Sequence, residues 1–372
     1  MGPFVGRQRL MSLRQFTRRQ GGGAAAPAQF GAGAWSIATL GTGTSARITI
    51  TTLPSDGGSA ITDLEYQIDG GSWVSLAGTT TGDYDLTGLT WNVEIDVAVR
   101  AVNAIGNGTA SAAKAVTPLV SFAAVVALSP ELAFDPAQSG SAFQERTGAS
   151  ATTASATNDP IGSLKNFGTK GGWLVAPSDS ARPIMRASGA LRYLDPDGVD
   201  DILTGSLEAF RGIAGWTMAM GVRNDGTTAA TRTVLAVHNN IVGLRSATQF
   251  AITTGTTQLV TRRVDTDGVG VLNGSAHASE DIVLTTISDF TNTDAFTRVD
   301  AVQEATNASW MSSGNTDSTG GVVSLCAYFG SSTPSSFFDG PISCAFAFPA
   351  ALTGGNLTLV ERYVAQTKGL SL

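Results

Sequence analysis

The chain has 372 residues, 44 of them glycine, with 14% charged residues and a formal net charge of −7. That length holds two or three domains of roughly 100–200 residues, and a Gly-, Thr- and Ser-rich chain with few charges is the mixture of an all-β protein with many tight turns. Only Cys326 and Cys344 are present, so no disulfide framework supports the fold, and no apolar stretch reaches the roughly 20 residues that would insert in a membrane.

Residues 1–34 read as a basic arm with a Gly/Ala linker. Arg7, Arg9, Arg14, Arg18 and Arg19 occur there without one acidic residue, and removing them leaves −12 on the rest. An acidic body is repelled by nucleic acid and by anionic membrane, whereas the arm is suited to docking. Its arginines are interleaved with Phe4, Val5, Leu10, Met11, Leu13 and Phe16. Apolar anchors among arginines fit an acidic groove on a protein better than they fit nucleic acid. The spacing of Leu10, Leu13 and Phe16 predicts one short amphipathic helix, marginal alone. Gly21 to Pro27 is a flexible connector, and the polar residues that interrupt every apolar pair up to Gln20 argue against a signal peptide.

From residue 35 to 118 short alternating runs are separated by turn residues. Ala46 to Thr51, Leu64 to Ile68, Tyr84 to Leu89 and Val93 to Val102 are predicted strands, and Asp69-Gly70-Gly71 is a predicted hairpin turn. LPSDGGSAITDLEYQIDGGSW followed by YDLTGLTWNVEIDVAVRAVNAIGNGTAS resembles fibronectin type III domains, which implies an immunoglobulin-like sandwich over residues 35–118.

Residues 119–372 carry further period-two runs: Trp216 to Val222, Thr233 to Val237, Phe250 to Thr253, Leu259 to Val264, Thr297 to Val302, Val322 to Ala327 and Ile342 to Phe348. Only Leu357 to Gln366 has helical spacing. Phe143-Gln144-Glu145, Asn158 to Gly162, Ser180 to Pro183, Leu194 to Leu203, Phe338 to Ile342 and the tail through Lys368-Gly369 together resemble the concanavalin-like/laminin-G sandwiches of phage structural proteins. That resemblance implies a jelly-roll sandwich.

Four carboxylates in seven residues, Asp195, Asp197, Asp200 and Asp201, have the oxygen chemistry of a Ca²⁺ site. The spacing is not that of an EF-hand, and Pro196 and Gly198 supply a turn that explains the segment without metal, so a turn is the preferred reading and no cofactor is expected. His238 and His277 lack a nucleophile motif or a second ligand at metal spacing, so each reads as a surface or loop residue and no catalytic residue is assigned. Trp173 and Trp310 are the candidates for stacking on a sugar ring, although a core position is the leading reading for each; Trp216, at the head of an alternating run, reads as core. Cys326 and Cys344 are expected as buried free thiols on two strands, possible neighbours in one sheet.

The phage resemblance implies a virion protein, assembled in the host cytoplasm and binding rather than catalysing. Its arm (Phe4, Arg7, Arg9, Leu10, Leu13, Arg14, Phe16, Arg18 and Arg19) would anchor it to other virion proteins of tail, baseplate or capsid. The C-terminal sandwich would meet a host surface glycan, as a homo-oligomeric tail fibre or receptor-binding component, with a trimer as the working guess. A capsid decoration or head fibre protein, and a virion-associated glycan-degrading enzyme, are the alternatives.

Overall fold

A computed structural model describes residues 23–148, 152–154, 156–225, 231–238, 248–253, 256–264, 267–277, 279–316, 321–329, 333–370 and 372. The nine arm residues assigned to docking, and the short helix expected around Leu10 to Phe16, lie outside the described residues. Among those described, strands dominate and two helices occur, as the all-β expectation requires. The chain divides into two compact units. One takes residues up to Ile37, Ile48–Tyr84 and Ile95–Ala115; the other takes Ala38–Arg47, Asp85–Glu94 and Val116–Leu372.

The first strands are β1 (Trp35–Thr39), β2 (Ser45–Ile50), β3 (Ile61–Ile68), β4 (Val74–Ser75), β5 (Gly82–Thr87), β6 (Ile95–Asn103), β7 (Gly106–Asn107) and β8 (Lys114–Val116). They form a sheet ordered β1-β2-β5 and another ordered β4-β3-β6-β7, with β8 also on β6. Alternation along β6 buries Ile95, Val97, Val99 and Ala101, while Asp96 stays exposed and Arg100 half-exposed. The hairpin expected at Asp69-Gly70 is present. Both residues have positive φ, 50° and 70°, the conformation that a two-residue turn between twisted strands demands.

The larger unit continues with α1 (Phe122–Val126), N-capped by Ser121, whose Oγ accepts the Ala124 N–H at 3.1 Å. Then come β9 (Leu132–Phe134), β10 (Ala142–Phe143), β11 (Ser163–Lys165), β12 (Trp173–Val175), β13 (Ile184–Ser188), β14 (Leu191–Asp195), β15 (Leu203–Gly205) and β16 (Gly215–Arg223). They are followed by β17 (Thr231–His238), β18 (Thr248–Thr253), β19 (Thr256–Thr261), β20 (Gly270–Ala276), β21 (Asp281–Asp289) and β22 (Asp294–Val299). Last are β23 (Val302–Asn307), β24 (Val322–Leu325), β25 (Ile342–Phe348) and α2 (Gly354–Lys368).

One sheet runs β10-β11-β12-β15-β24-β17-β18-β19-β20; the other runs β13-β14-β25-β16-β21-β22-β23, with β9 also on β25. β25 shows how the layers stack. Ile342, Ala345 and Ala347 join the core that also holds Leu203, Leu235 and Leu325 of the first sheet, whereas Cys344, Phe346 and Phe348 join a second cluster with Val360, Tyr363 and Val364 of α2. The second sheet is therefore covered on both faces. Both cysteines are free and buried, as expected, and Cys344 lies on β25 whereas Cys326 lies just beyond β24, so they are not neighbours in one sheet. Burial pushes the Cys344 thiol up to about 12 and Cys326 well above its ordinary value, so both are inert as nucleophiles.

One boundary moved. The run Thr297 to Val302 was expected as a single strand, but Asp300 and Ala301 have φ of 48° and 64° and turn the chain from β22 into β23.

Candidate functional site

Because the second sheet carries α2 on one face, what lies beyond the end of that helix is decided by where the helix stops. Gly369 adopts φ of 72°; its N–H donates to the Gln366 carbonyl at 3.2 Å and the Leu370 N–H to the Ala365 carbonyl at 2.9 Å, the paired bonds of a Schellman terminus. Lys368 is thus the last helical residue. Its side chain, 5% exposed, lies over Gly221 of β16, where an added Cβ would come within 2.7 Å of Lys368 Cγ and 2.3 Å of Ser343 Oγ. A glycine is required there for the lysine to cross the sheet.

Past the helix end is an open cleft of about 230 Å³, lined by Ser188, Tyr193, Arg223, Asp281, Ser343 and Lys368 among others. Apart from Lys368 of α2, these residues come from β13, β14, β16, β21 and β25, and β14-β25-β16-β21 are consecutive neighbours in the sheet. Register does the assembly. Arg223 sits directly across from Asp281, and Leu194 and Val222 both pair with Ile342, which aligns Tyr193 and Ser343 in the adjoining row.

The polar groups hold one another in place. Lys368 Nζ is 2.5 Å from Asp281 Oδ1, and Arg223 bonds Asp225 through Nε and Nη2, each at 2.8 Å, with its Nη1 3.8 Å from Asp281. Ser343 and Thr367 share a hydroxyl–hydroxyl bond of 2.8 Å. Burial pulls the Lys368 ammonium below its ordinary range despite Asp281, while the bonds to Asp225 push the Arg223 guanidinium up. The result is a row of fixed donors and acceptors with one half-buried aromatic, Tyr193, beside them.

The residues singled out from sequence lie elsewhere. Trp310 is a correction: it is 6% exposed and its indole N–H donates to Ser288 Oγ at 3.1 Å, so its ring belongs to the core and offers no face to a sugar. Trp216 is fully buried, as expected. Trp173 on β12 remains half-buried, braced edge-on by Phe143 at 5.4 Å, and does not line the cleft.

The acidic segment joins β14 to β15. Carboxylate oxygens of Asp197, Asp200 and Asp201 lie within 4.8 Å of one another and are the groups that could hold a divalent cation. Asp195 is instead paired with Arg186 at 2.8 Å. The loop's own bonds account for its shape: Asp197 Oδ1 accepts the Val199 N–H at 2.8 Å, Asp201 Oδ2 accepts the Asp197 N–H at 2.9 Å, and Gly198, with φ of 74°, packs against Arg232 and Asp339.

Neither histidine is the bare surface residue expected. His238 is 1% exposed, with its ring 5.4 Å from that of Tyr328. His277 is held between two carboxylates, Nε2 to Glu304 Oε1 at 2.6 Å and Nδ1 to Glu280 Oε2 at 3.1 Å. Burial opposes its charge, but the two acids outweigh burial and raise its pKa. A base whose pKa is raised in the folded state contributes stability that is complete below its ordinary value, about 6.5, and is lost as pH rises through the folded value. His277→Gln is therefore expected to lower Tm at about pH 5.5 and to change it little at about pH 9. Thermal melts at the two pH values check this, and an equal loss at both contradicts it.

No family model matches the chain, and no curated protein matches it by sequence. Solved structures with similar folds include the Ruminococcus gnavus IT-sialidase CBM40 bound to alpha2,3 sialyllactose: 18% identity, 40% of this chain, 83% of that one, TM-score 0.35. Another is a heptameric SAP-like pentraxin from Limulus polyphemus: 11% identity, 46% and 80% covered, TM-score 0.36. A third is the botulinum neurotoxin serotype D binding domain: 8% identity, 64% and 52% covered, TM-score 0.40. At these identities and scores no site of those proteins is carried over to this chain.

Proposed function

We propose that this is an attachment protein of a phage particle whose larger unit binds a surface carbohydrate in the cleft beyond α2. The observation that carries the binding reading is the preformed array of Tyr193, Arg223, Asp281 and Lys368. Fixed donors and acceptors beside an aromatic ring suit a hydroxyl-rich ligand with one apolar face. The virion reading draws its support from the sequence: an arginine-rich arm with apolar anchors, a stretch resembling fibronectin type III and another resembling phage sandwiches. In this reading the arm seats in a tail, baseplate or capsid protein, and display as an oligomer, a trimer in the simplest case, multiplies weak sugar contacts.

Binding is favoured over glycan hydrolysis by the cleft itself. Asp281 is the one carboxylate lining it among the described residues, and Lys368 holds it, whereas glycosidic cleavage ordinarily needs two carboxyl groups flanking the bond. Labelled full-length chain applied to printed bacterial surface polysaccharides is expected to bind at least one without releasing reducing sugar. Binding to none removes the carbohydrate reading, and release of sugar moves the assignment to the enzyme. Particles carrying the chain without residues 120–372 are expected to assemble but not adsorb. Failure to assemble points to a decoration or structural joint instead.

A further inference from the structure

The charges around the cleft say which sugars it takes. Each cation there already has a carboxylate: Arg223 a two-nitrogen pair with Asp225, and Lys368 a close pair with Asp281. Of the two cations in the lining, Lys368 is offset by Asp281, which also lines the cleft, and Arg223 by Asp225, which does not line it, on a chain that is net acidic outside its arm. An acidic sugar would have to displace one of these carboxylates or sit beside it, and like charges at contact are strongly unfavourable.

A hydroxyl group has the opposite fit. It donates and accepts at once, so adjacent ring hydroxyls bridge a carboxylate and an ammonium that remain bonded to each other. A carboxylate retains lone pairs and an ammonium retains N–H groups after forming one mutual bond. Ser188 at the exposed rim adds one hydroxyl, and Tyr193 supplies the apolar surface for the C–H face of a pyranose ring. The cleft, at about 230 Å³, is smaller than the roughly 300 Å³ at which pockets for drug-sized ligands begin. It seats one sugar ring.

We infer that the cleft formed by Tyr193, Arg223, Asp281 and Lys368 recognises a single uncharged hexopyranose, such as a terminal residue of a neutral surface glycan, and rejects acidic sugars. This rests on the carbohydrate reading above and deepens it. Asp281 is the selecting group. Replaced by its amide, it would still bond a hydroxyl but no longer offset Lys368, so the cleft would gain a net positive charge.

The test uses full-length protein with methyl glycosides of glucose, galactose and mannose, and with the methyl glycoside of N-acetylneuraminic acid, followed by saturation-transfer NMR and calorimetry. At least one neutral glycoside is expected to bind with Kd near ~1 mM, ordinary for a single ring, and the acidic glycoside is not. Tyr193→Ala is expected to weaken the neutral ligand at least tenfold. Asp281→Asn is expected to retain the neutral ligand and to gain the acidic one, so that the selection against acidic sugars is lost. If Asp281→Asn does not fold, Ser188→Trp at the exposed rim serves instead and is expected to block the neutral ligand with Tm unchanged. Tighter binding of the acidic glycoside by the unaltered protein overturns the inference and leaves the carbohydrate reading standing. Neutral binding untouched by Tyr193→Ala and Ser188→Trp places the sugar elsewhere and overturns it too. Binding of no monosaccharide overturns the single-ring inference; the polysaccharide array then decides the broader reading separately.

Discussion

Arg298→Met is expected to lower the melting temperature by about 10 °C, a loss of roughly 3–5 kcal/mol for a buried ion pair deprived of one partner. Arg298 on β22 bonds Glu361 of α2 through Nε at 2.7 Å and Nη2 at 3.1 Å, and the Glu361 side chain is 1% exposed. Taking the guanidinium away strands a carboxylate in the layer between helix and sheet, where water cannot replace the lost bonds. Glu361→Leu is expected to cost less, because the arginine left behind is 21% exposed and can reach water. The double variant should recover most of the loss, since an apolar pair of similar volume satisfies that layer as well as an ion pair does. Thermal unfolding of the two single variants and the double closes the cycle. A change in Arg298→Met below about 1 kcal/mol would show that the pair is solvated like a surface bridge. The consequence extends to the cleft, because the same helix carries Lys368.

How much of this was visible beforehand depends on how many faces each strand hides. On β6 one face is fully buried while the other runs from exposed Asp96 through buried Ala98 to partly exposed Arg100 and Val102, so Ile95, Val97, Val99 and Ala101 stood out at period two. β25 was found from its apolar run, yet all seven of its residues are buried, and nothing in Ile-Ser-Cys-Ala-Phe-Ala-Phe tells which side meets a sheet and which a helix. β21 was missed. Its Ile282-Val283-Leu284-Thr285-Thr286-Ile287-Ser288 is covered on both faces, which removes the polar beat that marks a half-buried strand. α2 was legible from Leu357, Val360 and Val364, which face the sheet.

The cleft was not legible for a different reason. Tyr193, Arg223, Asp281 and Lys368 are scattered over half the chain, and strand register alone brings them together. Lys368-Gly369 did carry a local signal, a basic last turn followed by the glycine that ends a helix, but nothing in it indicates the partner across the sheet. Trp310 misled because a tryptophan flanked by Ser309 and Met311 reads as a loop aromatic, whereas Ser288 on β21 gives its N–H a buried acceptor.

The acidic loop supplies the second large expectation. Burial, then the neighbouring Asp197, Asp200 and Asp195, push the Asp201 carboxyl up to about 7, against the single N–H that it accepts from Asp197; the residue is 4% exposed. An acid whose pKa is raised on folding binds its proton more tightly in the folded chain. Its contribution is therefore neutral below the unfolded value near 3.8, turns against the fold as pH rises between the two values, and is fully unfavourable above about 7. The span corresponds to roughly 4 kcal/mol, an order-of-magnitude figure at about 1.4 kcal/mol per unit. Asp201→Asn keeps an oxygen for the Asp197 N–H and turns an amide donor toward the remaining carboxylates. It is expected to raise Tm by several degrees at about pH 8 and to leave it unchanged at about pH 4, flattening the loss that the unaltered protein shows between them. The same melts at pH 8 in millimolar CaCl₂ test the calcium alternative to the turn reading: a rise in Tm of the unaltered chain that Asp201→Asn abolishes assigns a cation to the three carboxylates. Indifference to calcium, with Asp201→Asn still stabilising, leaves the loop a turn that carries an ionised buried acid at pH 8. An Asp201→Asn variant less stable than the unaltered protein at pH 8 would contradict the expectation, because it would mean that the charged carboxylate is bonded more strongly than its single backbone partner provides.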